Sequence, residues 1–246
     1  VPAMGETDYD GDGIPDPWTE GYLEAGDLPT FRIYDTSEDM IYSAYPNENF
    51  AFADAQIFFV EELSGILEYE IILYEGANLK SFYVLPDDTS IENIIGELAG
   101  DVWGILGEGM SAAYFNNQWI GYLTHFELTG GYWFLNGSPI QESFFVAGTN
   151  YDPDRVYDLH YGANLISYPS MGSADLSSSL PDDVEDFFLS IFSAGIAAMN
   201  TDSMGWVGSL TTFDGGKGYW ASVSEDLSFS FETGSMARSV MRHYVE

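Results

Sequence analysis

Cysteine is absent from the 246 residues. That removes disulfides, thiolate nucleophiles and Cys-ligated zinc at once. Basic residues are nearly absent too: 6 Lys and Arg stand against 40 Asp and Glu, a formal net charge of −34. So anionic a surface repels phosphate backbones and anionic lipid, and no basic patch reverses it. Nucleic-acid binding and membrane-surface binding are therefore excluded. No apolar run approaches the ~20 residues needed to cross a bilayer as a helix. Val1 opens the chain without a charged and apolar leader, so any export signal is expected either to have been removed or to lie outside the given sequence. Recognisable catalytic patterns are missing as well. There is no H-E-x-x-H zinc motif and no G-x-S-x-G elbow. Gly107-Glu108-Gly109 and Gly215-Gly216-Lys217-Gly218 lack the spacing of a phosphate loop. Glycosidases need only two carboxylates, but 40 acidic residues place pairs on every face by chance. No catalytic residue is assigned, and the chain reads as non-enzymatic.

What is present argues for a folded, exported protein. Apolar residues make up 46% of the chain and aromatics 16%, which a disordered acidic tail does not have. The length leaves room for two or three modest domains. Strong acidity suits a saline or calcium-rich medium, where counterions screen self-repulsion.

The most specific chemistry lies near the start, in Asp8-Tyr9-Asp10-Gly11-Asp12-Gly13-Ile14-Pro15-Asp16. Carboxylates at alternate positions of a tight loop aim several hard oxygens at one centre, which suits Ca²⁺ and its six to eight oxygen ligands. Asp8, Asp10, Asp12 and Asp16 are the candidate carboxylate ligands, and Ile14 offers its carbonyl. The pattern is close to an EF-hand loop. It departs from one at Thr19, where a bidentate Glu belongs; the nearest is Glu20. Pro15 and Pro17 also disfavour a helix directly after the loop. The stretch resembles the calcium loops of thrombospondin type-3 repeats, D-x-D-x-D-G-x-x-D, which implies a structural ion in a secreted protein.

The rest of the chain repeats itself. Gly76-Ala77-Asn78-Leu79-Lys80-Ser81-Phe82 matches Gly162-Ala163-Asn164-Leu165-Ile166-Ser167-Tyr168. Leu85-Pro86-Asp87-Asp88 recurs as Leu180-Pro181-Asp182-Asp183. Trp119-Ile120-Gly121 recurs as Trp206-Val207-Gly208, and Gly131-Tyr132-Trp133 as Gly218-Tyr219-Trp220. Four blocks in the same order mark a duplicated small domain. Each copy reads as β-rich with one short helix. Ile91, Ile94, Ile95 and Leu98 form a helical stripe behind a Thr89/Glu92 capping box. Val184, Phe187, Phe188 and Ile191 predict the same stripe in the second copy, behind Asp182 and Glu185. The duplicated Trp119, Trp133, Trp206 and Trp220 are expected to pack inward. Trp18 and Trp103 have no counterpart and are the better candidates for a sugar platform.

These blocks resemble a module found in tandem in bacterial and archaeal, notably marine, cell-surface proteins, with the signature G-x-N-L-I-S-(F/Y), a Trp-containing strand and G-Y-W. Ala77 and Ala163 stand where that module usually has Trp. The resemblance implies location and architecture and transfers no catalytic residue. The expected fold class is β-rich α+β. The expected segments are a calcium loop over 1–26, a small β unit over 27–70 (with Phe31 to Asp35 and the apolar run Phe50 to Val60), repeat modules over 71–150 and 151–234, and a tail over 235–246. Arg238 and Arg242, interleaved with Val240, Met241, Tyr244 and Val245, make that tail a candidate docking segment. The expected function is an extracellular, calcium-stabilised structural or adhesive surface protein that assembles with its own copies. The alternatives are a carbohydrate-binding protein or glycan-active hydrolase, and a virion surface protein of a marine phage.

Overall fold

The computed structural model describes residues 5–6, 8–9, 14, 16–35, 40–53, 56–149, 151–201 and 203–232. Asp10 and Asp12 of the calcium loop lie outside them, as does the whole tail with Arg238, Val240, Met241, Arg242, Tyr244 and Val245. The fold is β-rich with two short helices and antiparallel sheets. Among the described residues no helix is long and apolar enough to cross a membrane. The chain divides into two compact units, Val1–Ile66 and Leu67–Glu246.

In the first unit β1 (Phe31–Asp35) and β2 (Met40–Pro46) form an antiparallel hairpin, Phe31 opposite Ala44. The start of β3 (Leu63–Leu73) continues it, Pro46 opposite Leu63 and Ser43 opposite Ile66. Tyr42 and Ala44 alternate inward along β2, as a half-buried strand requires. The apolar run from Phe50 is irregular rather than a strand. Its backbone pairs instead with the segment before β1: Phe52 N donates to Asp27 O (2.7 Å), and Gly26 N donates to Phe52 O (2.9 Å). Phe50 stacks on Phe58 at 5.0 Å, while Ile57 and Phe59 stay exposed.

The second unit holds two modules of one architecture. Module 1 contains β4 (Gly76–Ser81), β5 (Val102–Leu106), β6 (Ser111–Phe115), β7 (Gln118–Gly121) and β8 (Gly131–Asn136) in the order β4-β8-β5-β6-β7. One face of that sheet carries helix α1 (Ile91–Ile95) and a ribbon made by Leu67–Leu73 of β3 with β9 (Glu142–Gly148). Module 2 opens with β10 (Tyr157–Leu159), β11 (Gly162–Ile166) and β12 (Ser173–Asp175). Helix α2 (Asp182–Glu185), β13 (Phe188–Ser193), β14 (Ile196–Thr201) and β15 (Gly205–Gly208) follow. β16 (Thr212–Asp214), β17 (Tyr219–Val223) and β18 (Leu227–Phe229) complete it. Its main sheet runs β11-β17-β13-β14-β15, and β10 pairs with β18 as the ribbon. The two main sheets share their order, and both carry a bulge at the start of the third strand, at Val102/Gly104 and Phe188/Ser190.

Each core lies between sheet and ribbon. Phe82, Phe126, Phe134, Ile91 and Val102 are buried in module 1; Tyr168, Phe213, Phe188, Tyr219 and Tyr157 are buried in module 2. Fully burying one such side chain contributes about 1.5–3 kcal/mol, so each module has a substantial core of its own.

The second helix departs from the expected pattern. Ser90 caps α1 by accepting from Asn93 N, and Ile91, Ile94 and Ile95 face the core as the stripe predicts. In module 2 the structural counterpart of Ile91 is Leu176: Ile91 N donates to Thr124 O, and Leu176 N donates to Thr211 O. The segment after Leu176 makes turns, and α2 comes later and spans one turn. Phe188 and Ile191 are therefore strand residues of β13, buried on one side of the sheet because a bulge between Phe188 and Ser190 shifts the register. Leu-Pro-Asp-Asp precedes the helix in module 1 and runs into it in module 2, so those tetrads match in sequence without matching in place.

Candidate functional site

Three of the five expected calcium donors are described. Asp8 and Ile14 are exposed, and Asp16 is buried. The Asp16 carboxylate accepts from Tyr9 N (2.9 Å), which folds the segment back on itself, and the Asp16 carbonyl accepts from Thr19 N and Oγ1 (2.8 and 2.9 Å). Residues 17–21 turn without forming a helix, as Pro15 and Pro17 predict. Thr19, at the place of the EF-hand glutamate, closes this turn. Among the described residues no Lys, Arg or His pairs with Asp16, and none groups three acidic or histidine side chains tightly enough for a metal. A buried carboxylate is stable when paired or bound to a metal. Asp8, Asp16 and the Ile14 carbonyl are the oxygen types that would suit Ca²⁺; Asp10 and Asp12, the other expected donors, lie outside the described residues.

The repeated motif does most of its work where the two modules meet. Ser81, at the end of β4, donates through Oγ to Lys217 O (2.6 Å), and its N donates to Gly216 O (3.0 Å). Ser167, its counterpart, donates through Oγ to Leu128 O (2.5 Å) and through N to Thr129 O (2.9 Å). Thr129 and Gly216 are equivalent positions, two before the glycine of Gly-Tyr-Trp. The contact is thus reciprocal: each module offers the same serine and receives it on the same turn, the signature of an isologous interface. Both serines are fully buried.

The glycines of Gly-Tyr-Trp follow from this joint. A Cβ on Gly131 would stand 3.0 Å from Ile166 O and from Leu165 Cδ1; on Gly218 it would stand 2.8 Å from Leu79 Cδ1 and 2.9 Å from Lys80 O. The tyrosines pin the approach. Tyr132 OH accepts from Glu127 N, and Tyr219 OH from Asp214 N, both at 2.7 Å. Burial pushes Tyr132 up to about 12 and Tyr219 higher still. The asparagines Asn78 and Asn164 each close the turn before their strand, accepting from Tyr74 N and His160 N and donating back to the same residues' carbonyls.

Charge at the joint is unlike the rest of the chain. Four basic residues are described, Arg32, Lys80, Arg155 and Lys217, and the last three gather here. Arg155, in the link between modules, is buried and donates to Asp152 O (2.8 Å), Leu128 O (3.0 Å) and Tyr83 O (2.7 Å). Burial lowers its pKa, yet a guanidinium stays charged. Burial, and then the neighbouring Lys217 ammonium, lowers Lys80. On the other arm Glu108, in the β5–β6 turn, accepts from Leu165 N (2.6 Å) and meets His160 Nε2 (2.6 Å). The Tyr161 carbonyl, which meets His160 Nδ1 at 2.8 Å, and the Glu108 carboxylate both raise His160. His125, the other described histidine, contacts Thr124 Oγ1.

The tryptophans divide into two kinds. Trp119 and Trp206 pack against the two cores as expected. Trp133 and Trp220 are half-buried on the opposite sheet face, the first opposite Leu79 and Leu106, the second opposite Leu165 and Phe192. The expectation that they pack inward is corrected: Tyr132, Phe134, Tyr219 and Ala221 hold the inward positions of those strands, and alternation sends the intervening Trp outward. Trp18 and Trp103 are exposed. What the sequence could not signal is the joint itself, although its serines, glycines and asparagines all stand in the repeated blocks. No protein-family model, no curated protein and no solved structure matches the chain.

Proposed function

We propose that this chain is an exported, calcium-stabilised structural or adhesive surface protein, without catalytic activity, that acts through assembly with its own copies or a surface lattice. The observation that carries this reading is the use made of the repeated motif. Asn78 and Asn164 close turns, Ser81 and Ser167 bond the modules together, Gly131 and Gly218 permit their approach, and Tyr132 and Tyr219 brace the same turns. The duplicated residues thus serve architecture, as in a protein whose job is to hold form. The calcium loop adds a stabiliser that extracellular media supply, and the acidity keeps the chain away from nucleic acid and anionic lipid. Sedimentation of the full chain in calcium and in EDTA tests the proposal, with calcium uptake measured alongside. Calcium-dependent melting and concentration-dependent assembly are expected. A monomer with identical melting in both media and no calcium uptake overturns it.

A further inference from the structure

The two modules differ beside their equivalent tryptophans, Trp119 and Trp206. In module 1 Tyr114 of β6 lies against Trp119 of β7, ring centroids 5.3 Å apart, and the buried Trp119 Nε1 has no hydrogen-bond partner among the described residues. In module 2 the position of Tyr114 is taken by Asn200, opposite Trp206. An amide occupies less space than a phenol, and beside Trp206 lies an open groove of about 800 Å³, within the ~300–1,000 Å³ of small-ligand sites.

The groove has a fixed polar lining. Trp206 Nε1 donates to Glu185 Oε1 (2.7 Å), and Ser177 Oγ donates to the same oxygen (2.6 Å). Neither bond uses Oε2. Asn200 Nδ2 donates to the Glu185 carbonyl (3.1 Å). Asp175 Oδ1 accepts from Ser177 N and Ser178 N (3.1 and 3.2 Å). Asp186 and Thr201 complete the polar wall.

We infer that this groove binds a neutral saccharide. Oriented carboxylates ask for several donors spread over one ligand, and hydroxyls and an amide both give and accept. A sugar supplies O–H groups around its rim and a C–H face for an indole. A divalent metal is not favoured, because no three of the described acidic residues converge. An acidic sugar is repelled by Asp175, Glu185 and Asp186, in a chain of net charge −34.

Amide NMR of the full chain, titrated separately with cellobiose, lactose, maltose, glucuronic acid and spermidine, tests the inference. At least one neutral disaccharide should shift the Asn200, Thr201 and Trp206 signals, including the indole N–H, and glucuronic acid should not. Asn200→Tyr, which installs the residue of module 1, should weaken that binding at least roughly tenfold. If that variant fails to fold, Glu185→Gln keeps an acceptor for Trp206 and should also weaken binding by roughly tenfold, since a charged acceptor is lost. No response to any neutral disaccharide overturns the inference. So does a response to spermidine alone, or neutral-sugar binding that the folded variant leaves unchanged.

Discussion

Ser81 Oγ donates to the carbonyl of Lys217, 136 residues later in the chain, at 2.6 Å. Its counterpart Ser167 donates through Oγ to Leu128 on the equivalent turn, and the two serines' N–H groups bond equivalent carbonyls, Gly216 and Thr129, so one motif fastens the modules twice. The glycines beside it set the spacing. Gly131→Ala and Gly218→Ala should each destabilise by about 1–3 kcal/mol, the usual cost of overpacking. Gly218→Ala should cost more, because its closest contact would be 2.8 Å. Differential scanning calorimetry decides; unchanged melting in both variants would mean that the joint yields freely.

Arg155 is buried with three carbonyls on its guanidinium. Replacing it with Met takes the guanidinium donor from the buried Tyr83 carbonyl, at about 1–3 kcal/mol, while the Leu128 carbonyl keeps the Ser167 hydroxyl. Arg155→Lys should not restore stability, because an ammonium lacks the planar fork that reaches carbonyls in different directions. Urea unfolding of the parent and both variants measures this.

The His160–Glu108 contact should respond to pH. The folded pKa of His160 is raised, so its contribution is fully present below the ordinary histidine value of about 6.5 and fades as pH rises through the raised value. Glu108 and Asp226 are the acidic groups that raise it by charge, and the Tyr161 carbonyl is the leading cause. NMR titration of His160 should give a lower pKa in Glu108→Gln. An identical titration curve would leave the Tyr161 carbonyl and Asp226 as the cause.

Calcium should raise the melting temperature of the first unit. Binding to the folded loop alone contributes about 2.7 kcal/mol when free calcium is a hundred times Kd. Asp12→Ala and Asp16→Ala should abolish the response to calcium, and isothermal titration should show the lost uptake. Asp16→Ala should also lower stability in EDTA, since its carboxylate accepts from Tyr9 N.

The tryptophan pairs should separate by mutation. Trp206→Phe removes the donor to Glu185, whereas Trp119→Phe removes a buried N–H that has no partner among the described residues. Trp206→Phe should therefore cost more, by about 1 kcal/mol. Trp133→Ala and Trp220→Ala, on the outward sheet faces, should cost less than the ~3–5 kcal/mol of a core tryptophan. Equal losses in all four positions would mean that the outward faces are covered as tightly as the core.

Several elements are legible in the sequence. The duplicated blocks mark a duplicated domain, and the two modules do share sheet order and bulge position. The Ile91, Ile94, Ile95 stripe lies on α1 with its buried face as expected. The stripe expected from Val184 misled because Phe188 and Ile191, three apart, suit a helix face and also a bulged strand, which restores them to one side of the sheet.

Sequence alone determined what depends on composition and on near neighbours. No cysteine means no disulfide, six basic residues mean an anionic body, and aromatic, β-branched runs between turns mean strands. Tertiary structure decided what depends on the partner across a gap. Trp119 and Trp133 read alike in the sequence, and only the packed layers set one against the core and the other on the far face. Ser81, Gly131, Ser167 and Gly218 are small residues with no chemistry legible from near neighbours. Their role exists only because folding brings each onto the opposite module, at distances where a hydroxyl can bond and a methyl group cannot fit.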